Sequence, residues 1–237
     1  MMMQGRFRIN PFPHLDFFYL WLIIPFILAI LALMHFGFVF NSGTAAFGII
    51  LLLILYYKEL RQNKDILMII AAFVFSIVGD WFLSNKQGDT GRFVSGIVFF
   101  FFAHVGYLWF ALLNGKVQWR FFFILFAGYL LFFFVKLYPS IDHPILIWAA
   151  LGYLVISCFS LAAAAGIRAN PLTKWAYIFG IFLILFSDTI IAYKEFVGFE
   201  ELNFLILPTY YIAHITIVFS LMKRWLLTYM GTSEITE

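Results

Sequence analysis

Residues 66–84 read ILMIIAAFVFSIVGDWFLS. The first ten are all apolar, and Asp80 then appears before the run has ended. About 20 predominantly apolar residues, rising 1.5 Å each, match the roughly 30 Å of a bilayer's hydrocarbon core. The stretch is therefore expected to be a transmembrane helix carrying a carboxylate in its second half. The composition agrees, with 64% hydrophobic and only 11% charged residues among 237. Soluble domains carry about 25% charged residues. A chain of this length cannot cover so much apolar side chain in water, so it is read as a single membrane-embedded unit over 1–237.

Reading outward between breaks marked by charge, Pro, Gly or Asn predicts eight spans: 17–36, 41–57, 65–84, 93–113, 119–138, 144–166, 174–193 and 203–227. Helices rather than barrel strands are expected, because the runs do not alternate polar with apolar residues. The opening MMMQGRFRINPFPHLD has no small-residue cleavage site after a short apolar core, so the first run is expected to be a retained helix. The one cysteine, Cys158, rules out an internal disulfide. The net charge of +3 resides in loop lysines and arginines and is no signature of nucleic-acid binding.

Those cations set the expected orientation. With eight spans, one side collects Arg6, Arg8, Lys58, Arg61, Lys64, Lys116, Arg120, Arg168, Lys174, Lys223 and Arg224. The other keeps only Lys86, Arg92, Lys136 and Lys194. Both termini are thus expected to be cytoplasmic. Short loops and this charge bias fit a multi-pass protein of a bacterial cytoplasmic (inner) membrane.

A second stretch, LILFSDTIIA at 183–192, repeats the anomaly of the first with Asp188. Both acids lie roughly 20 Å along outward-running helices, so they are expected at similar depth in the outer half of the membrane. The segments downstream of the two acids are also alike: GIVFFFFAHVGYLWF places Ala103-His104 after Asp80, and LPTYYIAHITIVF places Ala213-His214 after Asp188. The Asp-to-His separations are 24 and 26 residues. A parallel repeat of four plus four helices would account for this, with a site between the halves.

An acid inside a span costs on the order of 3 kcal/mol on insertion scales and usually faces a bundle interior or a wet cavity. The bland alternatives are a helix end for Asp80, since LSNKQGD comes next, and an interhelical hydrogen bond for Asp188. Helical spacing puts Ser76, Asp80 and Ser84 on one stripe and Gly96, Phe100, His104 and Tyr107 on another. Tyr210, Tyr211 and His214 cluster one turn apart just after Pro208, where a kink is expected. One shared polar cavity would satisfy Asp, His and Tyr together, whereas the fifth span, with FFFILFAGYLLFFF, is expected to be lipid-facing or packing surface. No phosphate loop, nucleophile elbow or metalloprotease His-Glu pair is present, and no two metal ligands sit at short helical spacing. Neither metal nor cofactor is expected.

These motifs resemble the YhhN-like family of multi-pass membrane proteins, whose characterised members are lysoplasmalogenases. The resemblance rests on Gly79-Asp80 with Leu83, on Phe93, Gly96, His104 and Tyr107, on Ser187-Asp188 with Ala192, and on Tyr210-Tyr211-Ile212-Ala213. His214 stands where family members tend to have Gln, and Lys58 in YYKEL lacks the proline of their Lys-Pro pair. The resemblance implies eight helices and hydrolysis of the vinyl ether of a lysoplasmalogen, or a similar lysophospholipid, to a fatty aldehyde and a glycerophospho-alcohol. Protonation of the far alkene carbon creates an oxocarbenium ion, water adds, and the hemiacetal collapses. Glycosidases meet a related cation with two carboxyl groups in different environments. Asp80 and Asp188 are the expected catalytic pair, and either could be the acid or the base. Ser76, His104, Tyr107, Ser187, Tyr210, Tyr211 and His214 are expected to bind substrate or water, with the alkyl chain against surface such as Phe99 to Phe102. The competing expectation is a proton-coupled transporter or lipid-binding membrane protein using the same acids.

Overall fold

The computed structural model describes residues 18–230, with side chains described as far as residue 228. Helices and connecting turns account for the described residues, and no strand is formed among them beyond one isolated bridge between Gly115 and Ile167. The principal helices are α1 (Ile23–Leu33), α2 (Gly43–Tyr56), α3 (Lys64–Ser84), α4 (Thr90–Leu113), α5 (Trp119–Phe132), α6 (Pro144–Ala164), α7 (Pro171–Ala192) and α8 (Asn203–Met230). A wider π turn, Phe133–Leu137, extends α5, and another, Tyr193–Val197, extends α7.

Six helices, α3 to α8 with these extensions, are long and apolar enough to cross a membrane. The chain is a multi-pass integral membrane protein. The first two predicted spans form shorter helices than the hydropathy pattern indicates. Leu20–Leu33, a 3-10 turn leading into α1, and α2 fall in the 10–17-residue class. The break between them has a local cause: His35 and Gly37 take left-handed backbone angles (φ 62° and 102°), which no helix can continue through. The opening of the first predicted span at residue 17, together with Arg6 and Arg8 of the charge tally, lies outside the described residues.

Local chemistry fixes the helix ends. Pro144 and Pro171 each occupy the first helical turn, where no backbone donor is needed, and Asn170 accepts from Leu172 N at 3.0 Å. Asp89 caps α4 by accepting from Arg92 N at 3.1 Å. Gly198, in the left-handed region at φ 75°, ends the α7 extension. α8 continues through Pro208 as one helix. Hydroxyls crowd the carbonyls on that turn: Thr209 donates to Leu205 O (2.7 Å), and Ser187 reaches across from α7 to Ile206 O (3.0 Å).

α3 packs on α4, and α7 on α8, along most of their lengths. Lipid is as apolar as leucine, so the hydrophobic effect does little to hold these pairs together; close approach and hydrogen bonds do more. A Cβ on Gly106 of α4 would lie 2.6 Å from Met68 O of α3. A Cβ on Gly180 of α7 would meet Ile217 at 2.6 Å and Ala213 O of α8 at 3.0 Å. Large apolar side chains such as Ile124, Trp148 and Phe204 point outward, as lipid contact requires. Ion-paired and polar groups gather at the two ends of the bundle and in one cleft.

Candidate active site

Both aspartates open into one cavity of about 300 Å³ enclosed by α3, α4, α7 and α8. Asp80 sits four residues before the end of α3 and Asp188 four before the end of α7. Equal axial positions on the two helices place both acids on one cavity. Ser187, Tyr210 and Tyr211 line this cavity too, as do Phe93 and Phe100 of α4. At its mouth stand Lys86, Lys194 and Glu195, with Lys86 and Glu195 joined as an ion pair.

Each acid is bonded by side chains of other helices. Tyr210 of α8 donates to Asp80 Oδ2 at 3.2 Å. Asp188 Oδ2 receives Tyr153 of α6 at 2.5 Å, and His104 Nε2 of α4 faces the same oxygen at 3.4 Å. The two carboxyls thus have unequal surroundings, one polar partner against two. The glycine of Gly79-Asp80 has a steric role. The Phe100 ring comes within 2.9 Å of where a Cβ would stand, and packs edge-on against Tyr210 at 6.1 Å between centroids. Gly79 therefore sets the position of the ring beside the tyrosine that holds Asp80.

The remaining expected residues form a layer beneath the cavity rather than its wall. His104 is fully buried and touches the site through Asp188, while its Nδ1 has no partner among the described residues. Ser76 and Tyr107 pair with each other at 3.5 Å, and the Tyr107 carbonyl accepts from Tyr177 at 2.9 Å. His214 is spent on Thr44 (3.3 Å) and packs edge-on against Phe73 and Tyr210, so it does not match His104 in its contacts. Tyr211 lines the cavity but bonds Asn41 at 3.4 Å instead of an acid. No three His, Cys, Asp or Glu side chains converge among the described residues.

Tyr153 is the main residue that the sequence reading missed. A signal was available: Tyr153, Ser157 and Ser160 form a polar stripe at four- and three-residue spacing on an otherwise apolar helix. The fifth span also does more than face lipid. Tyr129 bonds Thr189, next to Asp188, at 2.9 Å. Together with Phe132, Leu137, Ile97 and Leu154 it lines a second, apolar cavity of about 90 Å³. That cavity shares Leu83, Phe93, Phe100, Ile191 and Asp188 with the polar one. The apolar cavity's lining on α4 is Phe93, Ile97 and Phe100, one face of that helix. Phe102 points outward.

The YhhN family model matches residues 40–221, a range that takes in both acids, Tyr153 and both lysines of the mouth. No curated protein and no solved structure matches the chain.

Proposed function

From the premise that the chain belongs to the YhhN family, we propose that it is a membrane-embedded hydrolase that cleaves the vinyl ether bond of a lysoplasmalogen or closely related lysophospholipid. The observation that carries this reading is the convergence of Asp80 and Asp188 on one cavity that adjoins an apolar one at Asp188. An amphiphile with a single chain needs that combination. Its chain would lie between α4, α5, α6 and α7, its ether at the acids, and its phosphate and amine toward Lys86, Lys194 and Glu195.

The unequal hydrogen bonding suggests a division of labour. Asp188, with Tyr153 donating to one oxygen and His104 facing the same oxygen, takes the role of the fixed carboxylate. Asp80, held by one donor, would deliver its proton to the far alkene carbon. The adjacent carbon then carries the oxocarbenium charge, which the Asp188 carboxylate stabilises. Water adds to that carbon and gives a proton to Asp188. The hemiacetal collapses as its hydroxyl proton is lost and the glycerol oxygen is protonated, releasing aldehyde and alcohol. Transfer of a proton from Asp188 back to Asp80, directly or through water, restores the starting state. One water is consumed, and no cofactor takes part.

The same reading has eight membrane crossings, both termini cytoplasmic, and the mouth on the opposite side of a bacterial inner membrane. The test uses purified protein in detergent with a lysoplasmalogen and no ion gradient. Free fatty aldehyde should appear, and Asp188→Asn should abolish it while the protein still inserts and extracts normally. A transporter or passive lipid binder would release none. Near-normal aldehyde from Asp188→Asn would overturn the mechanism.

A further inference from the structure

An amphiphile must reach the acids before they can act on it. The polar mouth is lined by Lys86, Lys194 and Glu195. Drawing an alkyl chain in past these groups would take it out of lipid and through water, against the hydrophobic effect. A route from the side keeps the chain in an apolar medium throughout.

One wall of the apolar cavity, between α5 and α7, is loosely joined. α5 is anchored on α6, because its buried Phe122, with Phe133 and Leu137 of the π turn, forms one cluster with Leu154, Cys158 and Ala162. It packs along α6 rather than along α7. Tyr129 bonds Thr189 of α7 at 2.9 Å, and the Phe132 ring lies against Tyr193 at 5.7 Å between centroids. Thr189 gives its own proton to Leu185 O at 2.6 Å, so Tyr129 is the donor to it.

This seam lies where the substrate is needed. Thr189 is next to Asp188, and Tyr129, Phe132, Thr189 and Ala192 line the apolar cavity on which Asp188 also opens. Leu131, Phe134 and Val135 on the α5 side and Val197 on the α7 side are exposed, so the seam faces lipid. At one end the π turns Phe133–Leu137 and Tyr193–Val197 meet. A π turn interrupts the regular hydrogen-bond ladder of a helix, and such turns recur at functional sites.

We propose that the α5–α7 seam is the lateral entrance by which the alkyl chain passes from the membrane to Asp188, with the Tyr129–Thr189 bond as its latch; this rests on the lysolipid substrate of the hydrolase reading. The experiment uses the full chain in nanodiscs. The probe is a non-hydrolysable lysophospholipid whose saturated alkyl ether chain carries a diazirine near the ether. Photolysis at set times after mixing, followed by peptide mass spectrometry, reads both the route and the rate of entry. In wild type, label should fall on Tyr129, Phe132 or Ala192 and on Ile97 or Phe100 of α4. In a Cys158→Ala background, Phe132→Cys and Tyr193→Cys together allow a short bis-methanethiosulfonate to bridge the seam. Bridging should slow labelling of Ile97 and Phe100 by about tenfold or more, and reduction should restore it. Tyr129→Phe should speed entry about fivefold, the effect of one net hydrogen bond. Labelling of α4 that bridging leaves unchanged overturns the proposal, as does label confined to Ile206 and Leu207 of α8, which line the polar cavity alone. Should the double variant fail to fold, the wild-type label pattern and the Tyr129→Phe rate decide. Because the probe is not cleaved, entry by this seam without aldehyde release from a lysoplasmalogen supports the entrance and refutes the hydrolase reading alone. Aldehyde release from bridged protein at the unbridged rate refutes the entrance alone.

Discussion

Tyr153→Phe removes a single oxygen and retains the ring that packs edge-on against His104 at 5.2 Å. What is lost is the 2.5 Å donor to Asp188 Oδ2, leaving His104 at 3.4 Å as that carboxylate's partner. A hydrogen bond to a charged group contributes about 1.5–3 kcal/mol. If Asp188 must be held in place and kept anionic as the oxocarbenium ion forms, most of this is lost from the transition state. The expected fall in kcat is then roughly ten- to hundredfold. KM should change little, because the phenol bonds the carboxylate and not the lipid. The assay couples released aldehyde to an NADH-dependent alcohol dehydrogenase in detergent and follows initial rates across substrate concentration. Tyr211→Phe is the matched control, since its hydroxyl serves Asn41, and its kcat should stay within about threefold of wild type. A Tyr153→Phe enzyme with unchanged kcat would refute the assignment of Asp188 as the anion steadied by this bond.

Asp80→Asn keeps the size of the side chain but removes the transferable proton, and kcat should fall by at least about a hundredfold, read in the same aldehyde assay; wild-type turnover would remove Asp80 from the chemistry. Gly79→Ala sets a methyl group against the Phe100 ring, and the displacement should pass to Tyr210 and lower activity about tenfold with only modest destabilisation of roughly 1–2 kcal/mol. Measured together, thermal stability and turnover would contradict this account if stability collapsed while activity per folded molecule held. Asp65→Asn breaks the ion pair with Arg224 at the opposite end. With the guanidinium about a quarter exposed, the expected loss is about 2–3 kcal/mol, seen as faster thermal inactivation in detergent with kcat unaltered.

Much of the fold was legible along the helix axis. Hydropathy located all six long spans to within a few residues, and the fixed rise per residue put Asp80 and Asp188 at one depth before any packing was known. The lysines six residues beyond each acid, Lys86 and Lys194, belonged to the cation-poor side of the charge tally, and the structure sets both at the cavity mouth. The YhhN resemblance likewise needed only the ordered polar motifs.

Rotation about each axis was another matter. In a chain this apolar, outward and inward faces carry the same kinds of side chain, because lipid and protein interior are almost equally good solvents for them. Periodicity therefore left unsaid that Tyr153 turns toward Asp188, or that Tyr129 and Phe132 line a cavity while their neighbours Phe134 and Leu131 meet lipid. Similarity between the halves predicted like roles for His104 and His214, but one meets an acid and the other Thr44, because different helices pack against them. Composition and spacing by themselves determined that the chain crosses the membrane and how far along its helices the two acids sit. Only the packing of six helices around a common cleft decided which groups those acids face, since hydrogen-bond partners from distant parts of the chain are chosen by contact rather than by pattern.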